Sequence, residues 1–218
     1  MAAPIENGFR LVLTAVDDGL AKAWTRYCGR LPGVEIHRGS ILDVQCDAMV
    51  SPANSFGFMD GGVDALYVRR FGSQLPLRVR DQILEHHGGE LLVGEADIVE
   101  TGDNDVPFLI CAPTMRVPMV LGETVSPYLA ARAVLRLLRH GSFRGAPFPG
   151  VAIRDLVGAV AMPGLGTGTG GVPPAICARQ VRAAFEDVVL GRFAMPATGD
   201  QALEQHRGLY TEKPSRLP

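Results

Sequence analysis

Asn54 and Asp64 stand ten positions apart, around a glycine turn in the segment 51–62 (SPANSFGFMDGG). A carboxamide both donates and accepts hydrogen bonds, which suits ribose hydroxyls. A carboxylate at a helix start can stay ionised and orient a water or a hydroxyl. Each residue also has a purely structural reading: an Asx turn for Asn54 and a helix cap for Asp64. A second segment, 163–173 (PGLGTGTGGVP), gives the pair a chemical setting. Its Gly164, Gly166, Gly168, Gly170 and Gly171 carry no Cβ, so backbone N–H groups can close on an anion. Pro173 opens a predicted helix whose N-terminal dipole favours negative charge. A phosphate or diphosphate cradle is the natural reading, and a flexible glycine loop is the alternative. Gly166, Gly168 and Gly171 satisfy G-x-G-x-x-G, but no later strand carries the ribose-binding acid of a dinucleotide fold. No G-K-[S/T] is present, which excludes Walker-type nucleotide hydrolysis.

The elements that must position these residues follow from hydrophobic periodicity. Strands are predicted over 9–16, 34–38, 47–51, 96–101, 107–112 and 156–162. Helices are predicted after an N-cap offered by Asp17 and Asp18 to about Cys28, over 61–70 and 73–87, from Ser126-Pro127 onward, and from Pro173-Pro174 to about Leu190. Leu77, Ile83 and Leu84 are expected inside the 73–87 helix, and Leu129, Ala133, Leu137 and Leu138 inside the one after Ser126. Strands alternating with helices point to an α/β fold, a largely parallel sheet between helical layers. The segments 51–62, 113–118 and 163–173 each directly follow a strand. In a parallel sheet they share one edge, the edge where open α/β sheets bind ligands.

Composition narrows the classes further. The 26 glycines and 16 prolines are about a fifth of the 218 residues, above an average nearer 12%. With 47% hydrophobic residues, disorder does not explain the excess, so it belongs to ordered turns. The net charge of −2, from 21 basic and 23 acidic residues, argues against a general nucleic-acid binder. Only Lys22 and Lys213 are lysines. No apolar run approaches the length of a membrane span, and Met1 to Gly8 lacks the pattern of a signal peptide. Cys28, Cys46, Cys111 and Cys177 lie far apart and read as reduced, buried thiols of a cytoplasmic protein. No spacing supports a zinc site, and the adjacent His86 and His87 would point about 100° apart on a helix. The expectation is a monomer without metal or cofactor. Residues 1–190 are read as a single domain and 191–218 as a tail, with a short helix around 200–207.

Taken together, the motifs resemble the macro domain family. There an N-A-A-N segment leads into a glycine run ending in V-D. Pro52-Ala53-Asn54 and Gly61-Gly62-Val63-Asp64 match it with the same Asn-to-Asp spacing. The family's late S-T-G-hydrophobic-aromatic-G loop looks like Gly166-Thr167-Gly168-Thr169-Gly170-Gly171. The motif spacing is closest to the MacroD-like hydrolases, over roughly residues 34–190. The resemblance implies a three-layer α/β/α fold with a mixed, largely parallel sheet of six or seven strands. It implies ADP-ribose, or an ADP-ribosylated protein, as partner.

Carried over by motif, Asn54 would hold the distal ribose, and Gly61, Gly62 and Val63 would line the phosphate and ribose. Asp64 would correspond to the acidic residue that the MacroD-like hydrolases use and would be catalytic, positioning the attacking water, with Asn54 orienting the distal ribose. Gly164, Leu165, Gly166, Thr167, Gly168, Thr169 and Gly170 would wrap the diphosphate. Ser40, Ile41 and Ala53 complete the implied ligand contacts. Three positions depart from the family. Gly39-Ser40-Ile41 replaces a frequent G-D-I whose Asp bonds adenine. Tyr67 stands where the hydrolases often have histidine. Gly170 stands where an aromatic often packs on the distal ribose, which leaves that role to Phe56, Phe58 or Met115. The activity implied is hydrolysis of a mono-ADP-ribosyl-protein bond or deacetylation of O-acetyl-ADP-ribose. A binding module without turnover, or a structural domain of a phage-like assembly, remain the alternatives.

Overall fold

The computed structural model describes residues 8–145 and 147–211. The readings of Met1 to Asn7 and of Lys213 lie outside them. The elements run β1 (Arg10–Ala15), α1 (Asp18–Cys28), β2 (Val34–Arg38), a single 3-10 turn (Ile41–Asp43), β3 (Ala48–Ser51), α2 (Gly62–Phe71) and α3 (Leu75–His87). They continue as β4 (Asp97–Glu100), β5 (Phe108–Cys111), α4 (Ser126–His140), α5 (Ile153–Leu156), β6 (Ala159–Met162), α6 (Pro174–Val188) and α7 (Gly199–Gly208). The sheet order is β2-β1-β6-β3-β5-β4. All neighbours are parallel except β4, which runs antiparallel to β5. This is the mixed, largely parallel sheet expected, with six strands.

Alternation along the strands makes two cores. In β1, Leu11 and Leu13 face a core with Trp24, Val134, Leu138, Val181 and Phe185, from α1, α4 and α6. Val12 faces the other side with Met49, Leu109 and Ala161, under Tyr67 of α2 and Val79 and Ile83 of α3. Three layers result, with α1, α4 and α6 on one face and α2 and α3 on the other. Trp24 is fully buried, and its indole N–H donates to Thr14 O at 3.1 Å. This contact ties α1 to β1.

Several expectations need correction. Leu77 and Leu84 are exposed. They lie seven residues apart on the outer face of α3, while Leu75, Val79 and Ile83, at a spacing of four, form its buried stripe. In α4, Leu129 and Leu137 are half-buried, and Ala130, Ala131, Val134, Leu135 and Leu138 carry the contact. The apolar run 156–162 is not one strand. Its first residue ends the short helix α5, and pairing begins at Ala159, where Asp47 accepts from the amides of Gly158 and Ala159, both at 2.8 Å. The helix expected around 200–207 is α7, which buries none of its side chains.

Although they are neighbours on α3, both histidines approach one carboxylate. His87 Nε2 is 2.9 Å and His86 Nδ1 3.6 Å from Asp97 Oδ2, at the start of β4. Among the described residues no group of three or more His, Cys, Asp or Glu is placed to hold a metal ion. All four cysteines are free and buried.

Truncating Trp24 removes the largest side chain of the first core. Trp24→Ala is expected to cost about 3–5 kcal/mol, measured by urea unfolding.

Candidate functional site

The C-terminal ends of β1, β2, β3, β5 and β6 share one edge, and the loops that leave them surround a cavity of about 460 Å³. Each of the three segments singled out from the sequence supplies part of its wall. The β3 loop supplies Pro52, Ala53, Asn54 and Phe58, then Asp60 to Asp64. The β5 loop supplies Thr114, Met115 and Pro118. The β6 loop supplies Pro163, Gly164 and Gly166 to Gly170. Ser40 and Ile41 line one end. Leu165, Gly171 and Phe56 of the candidate residues do not line the cavity, and Leu165 departs furthest. It is fully buried in the core beneath the loop.

Sequence reasoning missed Thr14, Ala15, Val16, Asp17 and Leu20, which wall the same end as Ser40. The signal was available, since they too follow a predicted parallel strand. Gly39 N donates to Ala15 O at 2.9 Å, so the β1 and β2 exits run side by side.

Two sets of backbone donors line the cavity. The amides of Gly166, Thr167, Gly168, Thr169 and Gly170 donate to no acceptor among the described residues, although the loop is closed by Gly171 N to Gly168 O at 2.9 Å and Val172 N to Gly166 O at 3.0 Å. The second set is the first turn of α2, where Gly62, Val63 and Asp64 have no intrahelical acceptor and the N-cap Gly61 offers no side chain. Pro173 and Pro174, at the start of α6, do not line the cavity, whereas Gly62, Val63 and Asp64 of the first turn of α2 do. Among the described residues no Lys, Arg or His lines the cavity, while Asp17, Asp60 and Asp64 do.

Gly170 shows why an aromatic cannot stand there. A Cβ at this position would lie 2.5 Å from Gly166 O and 2.8 Å from Leu121 Cδ1. Leu121 is itself pinned by its amide to Gly170 O at 2.9 Å. Of the residues suggested for the vacated role, Phe58 and Met115 line the cavity and Phe56 does not. Phe56 lies instead beneath the Arg116 guanidinium, 5.0 Å from its ring centre.

Asn54 is held where β3 continues beyond its last paired residue. Thr114 N donates to Ala53 O at 3.3 Å and Ser55 N to Met115 O at 3.1 Å. The Asn54 side chain makes the Asx turn. Its Oδ1 accepts from Phe56 N at 3.1 Å and Phe58 N at 3.3 Å, and its Nδ2 donates to Phe58 O at 2.9 Å. One amide hydrogen is left over. Tyr67 is wholly buried against Phe71, its hydroxyl donating to Val50 O at 2.9 Å, and lies outside the cavity wall.

Asp64 is 7% exposed. Ser51, at the end of β3, donates its hydroxyl to Asp64 Oδ1 at 2.5 Å. Burial pushes the Asp64 carboxyl up from 3.8 to about 6. The Ser51 hydrogen bond opposes this and the nearby Asp60 charge adds to it.

The segment 50–181 matches the family model described as Macro domain, more than half of the chain. The chain belongs to the Macro domain family. An uncharacterised protein of Aquifex aeolicus is 33% identical over 146 residues, 67% of this chain and 76% of that one. The macrodomain of Mycobacterium tuberculosis DarG superposes with a TM-score of 0.54 at 22% identity, covering 70% of this chain and 90% of the other. A mutant of the Oceanobacillus iheyensis macrodomain with ADPR gives 0.51 at 21%, covering 66% and 72%. The macro match starts at Val50, so β1, α1 and β2 lie outside it, although their loops complete one end of the cavity.

Two outcomes follow. Gly170→Ala is expected to displace the macro-domain loop and to cost about 1–3 kcal/mol in urea unfolding. For Asp64, the folded-state value near 6 lies above the ordinary 3.8. The destabilisation is therefore absent below about pH 4, grows between the two values and is complete above pH 6. Asp64→Asn, which keeps an acceptor for Ser51, is expected to raise the melting temperature at pH 8, for about 2–3 kcal/mol, and to have no such effect at pH 4.

Proposed function

We propose that this macro domain binds ADP-ribose or a close derivative and hydrolyses an ADP-ribosyl bond, either in a mono-ADP-ribosylated protein or in O-acetyl-ADP-ribose. The observation that carries the reading is the pair of unpartnered amide sets, from the β6 loop and the first turn of α2, beside the buried Asp64. Backbone donors of this kind suit a diphosphate. Leu20 and Ile41, both buried, give the wall apolar surface that suits a nucleobase. The Oceanobacillus protein that carries ADPR supports the choice of ligand.

In this reading the diphosphate is held by the amides of Gly166 to Gly170. The distal ribose lies toward Asn54 and Phe58. Asp64 offers its second carboxylate oxygen to a water near the ribose C1″ or the ester carbonyl. At C1″ the water's oxygen bonds to the carbon, the C1″–O bond breaks and the protein carboxylate leaves. At the ester carbonyl of O-acetyl-ADP-ribose the acyl C–O bond breaks, acetate forms and the ribose oxygen leaves as a hydroxyl with a proton from solvent. In both cases the water's proton passes to Asp64 or to solvent. The ionised carboxylate is the active form, so turnover is expected to fall on the acid side with a midpoint near pH 6.

Binding without turnover is the second reading. It is favoured by Tyr67, a core residue where the hydrolases often have histidine, and by the commitment of the Asn54 amide to its own loop.

Calorimetry with ADP-ribose tests the shared part. The expected affinity does not weaken from low to high salt, because among the described residues the cavity is lined by three carboxylates and no cationic side chain. Absence of binding rejects both readings. Release of ADP-ribose from an auto-modified protein separates the two. Wild type is expected to be at least tenfold faster than Asp64→Ala, and affinity without release on either substrate selects the binding module.

A further inference from the structure

Ser51 and Asp64 belong to different elements, the last residue of β3 and the first turn of α2. Both are buried, Ser51 at 1% exposure. The strand end cannot move freely, since Ala112 N donates to Ser51 O at 2.9 Å and Ser51 is in register with Cys111. The hydroxyl reaches Asp64 Oδ1 at 2.5 Å, the length of a charge-assisted O–H···O⁻ bond. Oδ2 makes no hydrogen bond to the described residues, and Asp64 lines the cavity.

We propose that Ser51 is the positioning residue of Asp64: by donating to Oδ1 from a fixed strand end, it turns Oδ2 toward the ligand cavity and favours the ionised carboxylate there. Its bearing on turnover rests on the hydrolytic reading above, whereas its action on Asp64 does not.

The other groups around Asp64 offer no substitute. Asp60, from the loop before α2, is a like charge and opposes ionisation. Tyr67 of α2 donates its hydroxyl to Val50 O, so it is not available to Asp64. Cys111 of β5 is buried, and its thiol stays protonated because burial and the Asp64 charge both push it up. Ser51 is therefore the group whose hydrogen bond opposes the effect of burial.

The side-chain carboxyl resonance of Asp64, titrated by NMR in the free protein, tests this without any substrate. In Ser51→Ala the midpoint is expected to rise by about one to two pH units above wild type. Ser51→Thr, which keeps the hydroxyl, is expected to return it to within half a unit. Ser51→Cys, a weaker donor, is expected to fall between them, and it replaces the alanine variant if that chain does not fold. Equal midpoints in wild type and in the alanine or cysteine variant overturn the proposal.

With an ADP-ribosyl substrate that wild type hydrolyses, the acid limb of kcat in Ser51→Ala should shift upward by the same amount. KM at pH 8 should stay within about threefold. A loss of kcat at all pH values without a shifted limb marks Ser51 as merely structural and overturns its positioning role. If wild type hydrolyses no substrate, the hydrolytic reading fails, and the NMR titration still decides for or against Ser51.

Discussion

Among the described residues the cavity is walled by three carboxylates and no cationic side chain, so the proposed diphosphate would be held chiefly through backbone N–H groups. Most of what is unusual in this chain follows from that constraint. Peptide dipoles act over short distances, so the main chain itself must reach the anion. A β6 loop with a side chain at every position would hold the ligand away from its amides. The loop instead keeps glycine at 164, 166, 168, 170 and 171 and places Thr167 and Thr169 between them. Gly170 is the tightest case, with the Gly166 carbonyl and Leu121 already occupying the space of a Cβ. The first turn of α2 answers the same need without a side-chain cap, since a capping oxygen would consume an amide that the cavity keeps free.

The same cleft shows what function costs the fold. Asp64 would be cheaper as a neutral residue, because nothing cationic repays the burial of its charge. Ser51 softens the penalty and lends the carboxylate a direction. Asn54 shows the opposite economy. Its side chain builds the Asx turn that shapes the wall, and one donor remains for a ligand. The structural and functional readings of that residue are therefore not exclusive.

Much of this was legible in the sequence, for identifiable reasons. Period-two and near-continuous apolar runs located all six strands, and the rule that loops after parallel strands share an edge brought 51–62, 113–118 and 163–173 together before any coordinates. The misses come from tertiary context. Leu77 and Leu84 are apolar but lie on the exposed face of α3, and periodicity alone cannot say which of two stripes is covered. The break of 156–162 at α5 depends on Asp47, a residue distant in sequence that receives the amides of Gly158 and Ala159. The wall contributed by Val16 and Asp17 is different: it obeys the same rule, since these residues follow β1, a predicted strand that runs parallel between β2 and β6. Leu165, framed by glycines of the wall, points inward because the loop needs an anchor in the core.

The position of β1 also bears on how the cleft comes into being during synthesis. β1 and β2 emerge from the ribosome before the other four described strands and can pair as a short α/β unit. The strand that joins them to the rest of the sheet is β6, which is made after every other strand and immediately before the glycine loop. Until β6 inserts, the two halves of the cavity wall belong to separate pieces of chain. The nascent protein therefore holds its early strands without a usable binding site, and closure of the sheet and assembly of the cleft become one late event.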